Sequence, residues 1–454
     1  GWRDLSYAGS SFYETPHIDS LAREGVVFTR ANMSAPRCVS SRLSLMTGQY
    51  PYRNKLKNKH GISRKTQLLS ESYQKAGYRT FFAGKWHLGH EASEFPDKRG
   101  FDVNVGGCAA GSPKSYFFPY HKGKEAMPGL ESKDPDNDYL TDRLTSETEA
   151  FIRKHAASKS EKPFFAFLSH YGVHTPIQGK AELVAKYEKK LDNMAGTMTE
   201  SESFQDHTGQ VKRYQNNPVY AAMVESIDES VGRLRIVLRE LGIDKNTLIV
   251  FTSDHGGLST TKAGGKRELA TSNLPLRTGK GWLYEGGLRV PFIVFDPREK
   301  GGISSQSVIN GTDIYPTLLD LSGIPSLPQY HKDGFSFADV IRGKEYSRPQ
   351  PVIYHYMFAK VGTGNTAMSV VLDDPYKLVY LEVEKEYQLY HLVDDPGEKE
   401  NLAAAKPEIV SKLEKVRVDW LKELEISPLA KSHSFYTTSI ELLKKAKILE
   451  EKGR

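Results

Sequence analysis

Only two of the 454 residues are cysteine, Cys38 and Cys108. Two thiols exclude a disulfide framework. Counting alone permits one bridge between them, but both sit in Gly/Ser-rich loop contexts that point to separate roles. Also missing is any apolar run near the ~20 residues that span a bilayer, so no membrane-spanning helix is expected. No basic block with interleaved aromatics occurs, which removes nucleic acid from the expected partners. The net charge of +6 comes from 62 basic and 56 acidic residues in close mixture, a balance that allows an anionic substrate without requiring one. No internal repeat is found, and no signal peptide is visible in this sequence. The chain opens on Gly1 within the polar stretch GWRDLSYAGSSFYETP, as expected of a processed or trimmed chain. Low cysteine use leaves the periplasm open.

What is present is a regular alternation. ETPHIDSLAREG has Thr15 as N-cap, Pro16 at the first helical position and Gly25 as the stop. VVFTRA reads as a short strand, SSRLSLMTG as a short helix ended by Gly48, and TQLLSESYQKAG as an amphipathic helix. YRTFFAGKWHLG, PFFAFLSHYGVHTP, TLIVFTSDHGG and PFIVFDP read as apolar strands, three of them running into polar loops. DRLTSETEAFIRKHA, the long YAAMVESIDESVGRLRIVLRELG and TDIYPTLLDLSGI read as helices. Residues 196–217 read as a polar loop. Helix alternating with buried strand predicts an α/β domain with a mostly parallel sheet. Near residue 345 the pattern turns to short strands with turn signals, followed by a helix over EIVSKLEKVRVDWLKELE and a last segment that is a charged helix or a frayed tail. The expected organisation is therefore a catalytic α/β domain over 1–345 and a smaller α+β unit with an antiparallel sheet over 346–454.

The strand-ending loops carry the polar residues: Lys85 and His87, His170 and His174, Asp254 and His255. In open α/β sheets a site forms beyond the carboxyl ends of the strands, so these residues are expected on one rim. Cys38 stands at a helix start beside Arg37 and Arg42, where the helix dipole and the guanidinium charges favour the thiolate. A nucleophile is one reading. A half-buried small residue is the commoner fate of a lone cysteine. His170 or His174 alone would read as a hydrogen-bonded loop histidine, and Lys280 alone as a solvated lysine.

The order of motifs decides between these readings. CVSSRLSLMTGQYP resembles the signature of the type I, formylglycine-dependent sulfatases, and GYRTFFAGKWHLG, LSHYGVHTP, FTSDHGG and GKGWLYEGGLRVPFIV resemble further landmarks in the family's order. DIYPTLLDLSGI and DDPGEKENLA look like family landmarks too, so the resemblance spans nearly the whole chain. It implies an alkaline-phosphatase-like fold, and Cys38 converted to Cα-formylglycine by a formylglycine-generating or anaerobic maturating enzyme. It implies a hydrolase that removes sulfate from a sulfated carbohydrate, a galactose- or N-acetylgalactosamine-type unit of a polysaccharide. The nucleophile would be the hydrated aldehyde, passing through a covalent sulfate hemiacetal. Cys38, Asp254 and His255 would bind Ca²⁺, or Mg²⁺. Arg42 would order the formylglycine. Lys85, His174 and Lys280 would bind the sulfate. His174 would protonate the leaving alcohol, with His170 as the alternative, and His87 would assist collapse of the intermediate. Chemistry agrees with these types, since a sulfate ester needs preorganised cations on its oxygens and a histidine suits proton transfer near neutral pH. The family also implies a periplasmic or secreted protein.

Two departures bear on those expectations. Ser40 stands where the family has Pro or Ala, at a position the maturating enzyme reads. The family also begins with a strand ending in an Asp-Asp pair that supplies two metal ligands, and Gly1-Trp2-Arg3-Asp4 resembles the segment after that pair. Asp4 does not replace it, so a weakened or absent metal site is expected of a protein that truly lacks the pair, because ligand charge sets Ca²⁺ affinity. Two competing readings stay open: a phosphonate or phosphodiester hydrolase of the same superfamily, and an inactive sulfatase-like glycan-binding protein. Glu285 and Arg289 read as a buried structural ion pair. The loops GSPKSYFFPYHKGK and NLPLRTGKGW read equally as sugar contacts or as packing over the rim.

Overall fold

A computed structural model describes residues 1–54, 62–121, 127–134, 138–158 and 160–452. Its centre is built from short apolar strands: β1 (Val26–Phe28), β2 (Arg79–Gly84), β3 (Val103–Val105), β4 (Phe164–Ser169), β5 (Ile249–Thr252), β6 (Phe292–Phe295) and β7 (Ile303–Ser305). They form two sheets, ordered β7-β1-β6-β5 and β3-β2-β4. β2 is parallel to β3 and β4, and β1 is parallel to β7. β6 runs antiparallel to β1 and β5. That one reversal in a mostly parallel design follows from the chain path. After β5 the chain stays at the same end of the sheet, where the Gly256 N–H donates to the Gly287 carbonyl at 3.0 Å. It then enters β6 from that end and must run back.

The expected helices appear as Pro16–Glu24, Cys38–Thr47, Leu69–Lys75, Leu140–Ala157, Pro218–Glu240 and Ile314–Leu321. Thr15 precedes the first of them but does not cap it. Its hydroxyl instead accepts the Ser6 N–H at 2.9 Å. The helix Ala181–Met194 lacked a strong signal because only Leu183 and Tyr187 of it are buried. The polar segment 196–217 is not simply a loop. Ser203–Asp206 and Gly209–Lys212 form a hairpin, and Thr260–Lys262 adds a third strand. The pairing comes from a distant strand, which no local propensity announces.

β4 and β5 end their sheets, and both face one cavity of about 1010 Å³. Phe165, Phe167, Val250 and Phe251 line it, and Lys85, Asp254 and His255 lie at the same cavity.

Beyond residue 350 a four-stranded antiparallel meander, Val352–Tyr356, Met368–Asp373, Tyr376–Leu381 and Glu386–His391, carries the helix Pro407–Glu423 on one face. Trp282, Leu283, Tyr284 and Leu288 enter the same apolar cluster, which clamps the rim loop of the larger unit onto the meander. A buried charge cluster reinforces that seam. Glu285 pairs with Arg289 at 2.8 Å, and Lys377 reaches Glu285 at 2.9 Å and Glu398 at 2.8 Å. The final described element is the helix Ser434–Lys452, so the charged tail is a helix over that range, while residues 453–454 lie outside the described residues. Among the described residues no helix is long and apolar enough to cross a membrane.

Candidate active site

The helix Cys38–Thr47 begins on Cys38 itself, with Arg37 as its extended N-cap, and ends at Gly48. One turn in, Arg42 points to the same end of the sheet. β2 ends at Gly84, whose φ of +99° is open to glycine, and a Cβ there would strike the Ser169 carbonyl. Glycine thus lets β2 close on β4. The Lys85 N–H donates to the Ser169 carbonyl at 2.7 Å, and the buried Lys85 side chain is set beside Cys38.

The geometry is compact. Cys38 Sγ lies 3.2 Å from His255 Nε2 and 3.8 Å from Lys280 Nζ. Arg42 Nε donates to Asp254 Oδ2 at 2.9 Å, and its Nη1 donates to the Lys85 carbonyl and to Ser169 Oγ, each at 2.7 Å. His255 Nδ1 sits 2.8 Å from the Gly256 carbonyl, which places a proton on Nδ1 and turns Nε2 toward Cys38 and Asp254. His174 Nδ1 likewise faces the Thr175 carbonyl at 2.9 Å, leaving Nε2 for the site. The rim expected from sequence is therefore assembled: Cys38, Arg42, Lys85, His87, His174, Asp254, His255 and Lys280 lie within electrostatic reach of one another.

The electrostatics are those of an anion site. Burial pushes the Cys38 thiol up, but Lys85 and then His255 pull it well below the ordinary thiol range, against the opposing charge of Asp254. Burial would also raise the Asp254 carboxyl. His255, Arg42, Lys85 and Lys280 overcome it and hold the group well below the usual carboxylate range. Burial lowers Lys85, with Cys38 opposing. Burial lowers His87 as well, partly offset by its hydrogen bond to Cys38. His174 falls to about 3, first through burial and then through the charges of Lys280 and Lys85.

Ligand atoms of Cys38, Asp254 and His255 lie within 4.8 Å of one another, a set that could hold a metal ion. It does not fit Ca²⁺ or Mg²⁺ by itself. Those ions take cages of oxygens, while this set offers one carboxylate, one imidazole and one sulfur, with the carboxylate already engaged by Arg42. Asp4 adds nothing. Its oxygens accept from Tyr220 at 2.6 Å and Thr271 at 2.7 Å and pair with the amino group of Gly1.

His170 does not compete with His174. Its Nε2 bonds to Ser230 Oγ at 3.0 Å, and burial alone lowers it to about 4. Cys38 and Cys108 are both free, so no bridge forms. In NLPLRTGKGW, Arg277 is a packing residue, forked onto Asp206 and lying 4.0 Å over the Tyr284 ring, whereas Lys280 reaches Cys38. In the other aromatic loop Tyr116 and Tyr120 are buried, and Tyr116 donates to the His174 carbonyl at 2.8 Å. Residues 122–124 of that loop lie outside the described residues. Ser169, which links Arg42 to Lys85, went unread because a serine at a strand end carries no motif.

An α/β core with a cation-lined, thiol-centred pocket beyond its strand ends defines a hydrolase-type site for anionic esters. The chain belongs to the sulfatase family. The family model described as "Sulfatase" matches residues 1–324, and "N-sulphoglucosamine sulphohydrolase, C-terminal" matches 278–423. N-acetylgalactosamine-6-sulfatase of Mus musculus is 31% identical over 82% of this chain and 68% of its own length. A sulfatase of Formosa agariphila is 28% identical over 90% of this chain and 83% of its own. The crystal structure of Ps i-CgsB in complex with k-i-k-neocarrahexaose superposes with a TM-score of 0.75 at 25% identity, over 99% of this chain and 95% of that one.

Proposed function

We propose that this sulfatase cleaves sulfate esters on a galactose- or N-acetylgalactosamine-type unit of a glycan, with Cys38 converted to Cα-formylglycine. The observation that carries the reading is the convergence of Lys85, Lys280, Arg42 and three histidines on residue 38, around a single carboxylate. The saccharides named for the relatives support the substrate class. Once formed, the hydrated aldehyde at residue 38 supplies the oxygen nucleophile. Lys85 and Lys280 neutralise the sulfate oxygens, and the burial of Lys85 strengthens that interaction. Arg42, fixed by Asp254, Ser169 and the Lys85 carbonyl, holds residue 38 and Asp254 in register. His174 Nε2 gives its proton to the departing alcohol oxygen. His87, hydrogen-bonded to residue 38, accepts a proton there during sulfate release. In this reading residues 1–345 carry the chemistry and 346–454 form the smaller unit beside it. The protein is exported, matured by a formylglycine-generating or anaerobic maturating enzyme, and any Ca²⁺ or Mg²⁺ needs oxygen donors beyond Cys38, Asp254 and His255.

The test has two measurements. Mass spectrometry of the Cys38 peptide, after co-production with a maturating enzyme, should show the thiol sulfur replaced by an aldehyde oxygen. The matured protein should then release sulfate from sulfated galactan or N-acetylgalactosamine oligosaccharides faster than it cleaves an aryl phosphodiester. An intact thiol, or preference for the phosphodiester, would overturn the assignment.

A further inference from the structure

We infer that Arg37, Arg267 and Lys360 form a second anion subsite beside residue 38, for a carboxylate or second sulfate on the saccharide that bears the scissile sulfate. This rests on the glycan sulfatase reading above and narrows its substrate to a saccharide with two anionic groups.

One turn of the smaller unit, residues 360–364, organises the cluster. Its Thr363 and Gly364 N–H groups close back on the Lys360 carbonyl at 3.2 and 2.9 Å. Arg37 Nη2 reaches Thr363 Oγ1 at 3.4 Å, and Arg267 Nη1 reaches the Gly362 carbonyl at 3.3 Å. The turn is seated on the active-site loop. Trp282 Nε1 donates to the Thr363 carbonyl at 2.9 Å, and the Gly281 N–H donates to the Pro36 carbonyl at 3.0 Å. Lys280, which precedes Gly281, ends 3.8 Å from Cys38 Sγ. Three stretches far apart in sequence thus place their cations on one side of the site mouth.

Charge pairing sets this group apart from most arginines of the molecule. Arg53, Arg143, Arg233, Arg277, Arg289 and Arg348 each hold a carboxylate. Among the described residues none of Arg37, Arg267 and Lys360 does; Arg37 meets the hydroxyls of Thr363 and Tyr356, and Arg267 a carbonyl. The members oppose one another. The charge of Arg37, then burial, then Lys280 and Arg267 hold the Lys360 ammonium below its ordinary range. Burial and then Arg37 lower Arg267. Like charges gathered without a counter-charge are unfavourable in the free protein and favourable once an anion sits among them. Guanidinium forks suit the planar or tetrahedral oxygens of carboxylate and sulfate.

The experiment measures dissociation constants by calorimetry on the full chain, for a neutral monosulfated disaccharide, a disulfated one, and a monosulfated one bearing a uronate. The wild type should bind one of the doubly charged ligands at least about tenfold more tightly than the neutral monosulfate, a margin of about 1.4 kcal/mol. The ligand that gains identifies sulfate or carboxylate as the second group. In the double variant Arg267→Gln/Lys360→Gln the ratio should fall to within about twofold of one. Equal affinities in the wild type, or a ratio that survives the double substitution, would overturn the subsite. Sulfate release from the same ligands by matured protein is scored separately. Preference without release would overturn the hydrolase reading and leave the subsite standing.

Discussion

His174 gives the sharpest test of the site's electrostatics. A histidine at about 3 carries a proton in only about one molecule in three thousand at pH 6.5, so the free site holds no acid for a leaving alcohol. Burial is the first cause, and the charges of Lys280 and Lys85 are the next two. A sulfate bound between those lysines cancels the charges that keep His174 neutral. Returning the group to its ordinary value of about 6.5 requires about 5 kcal/mol, at 1.36 kcal/mol for each pKa unit. A unit charge about 4 Å away supplies about 4 kcal/mol at an effective dielectric constant of about 20, and a sulfate dianion carries two. Sulfate binding should therefore take up about half a proton or more at pH 6.5. The sign follows. Because the complex has the higher pKa, affinity is constant below the free value, weakens by up to about tenfold per pH unit between the free value and that of the complex, and levels off above it. Titration of inorganic sulfate into the protein, in buffers of different ionisation enthalpy, reads the uptake directly. It should vanish in His174→Gln. A binding enthalpy independent of buffer, or uptake that persists in the variant, would refute the assignment of the proton to His174.

Three further outcomes follow from the same geometry. Gly111 packs against His87, and a Cβ at 111 would come within 2.6 Å of its Nε2, so Gly111→Ala should lower kcat for sulfate release at least about tenfold while the urea midpoint stays close to wild type; unchanged turnover would show that His87 is dispensable. Lys377 is the shared cation of Glu285 and Glu398, so Lys377→Met should destabilise the protein by about 3–5 kcal/mol in urea unfolding, and a loss under about 1 kcal/mol would remove the cluster from the list of seam-holding contacts. Burial depresses His170 to about 4 and His355 to about 3. Both stay neutral in the folded protein at pH 5 while the unfolded chain protonates near pH 6.5, so stability is unaffected above about pH 6.5 and falls below it, by about 2 kcal/mol each at pH 5; unfolding midpoints should drop from pH 7 to pH 5 and His355→Gln should flatten that slope.

The rim was legible because its chemistry is local. Cys38 and Arg42 share one helix face, Asp254 and His255 are adjacent, and Lys85 and His87 follow one strand, so short motifs carry most of the site. What remained illegible depends on residues meeting across the fold. Lys377 sits in an ordinary strand alternation, and nothing near it announces that Glu285 and Glu398 will close on it from 92 positions before and 21 after. The hairpin within 196–217 was read as loop because its third strand, Thr260–Lys262, lies some fifty residues away. Arg267 and Lys360 each look like a solvated charge in the sequence, and their neighbours in the chain are unremarkable. Only the turn at 360–364, held down by Trp282 and touched by both arginines, shows that they share a place with Arg37. Residues that perform a family's common chemistry sit in motifs. Those that choose among its substrates, on the subsite inferred above, come from loops whose positions the fold sets and no local pattern records.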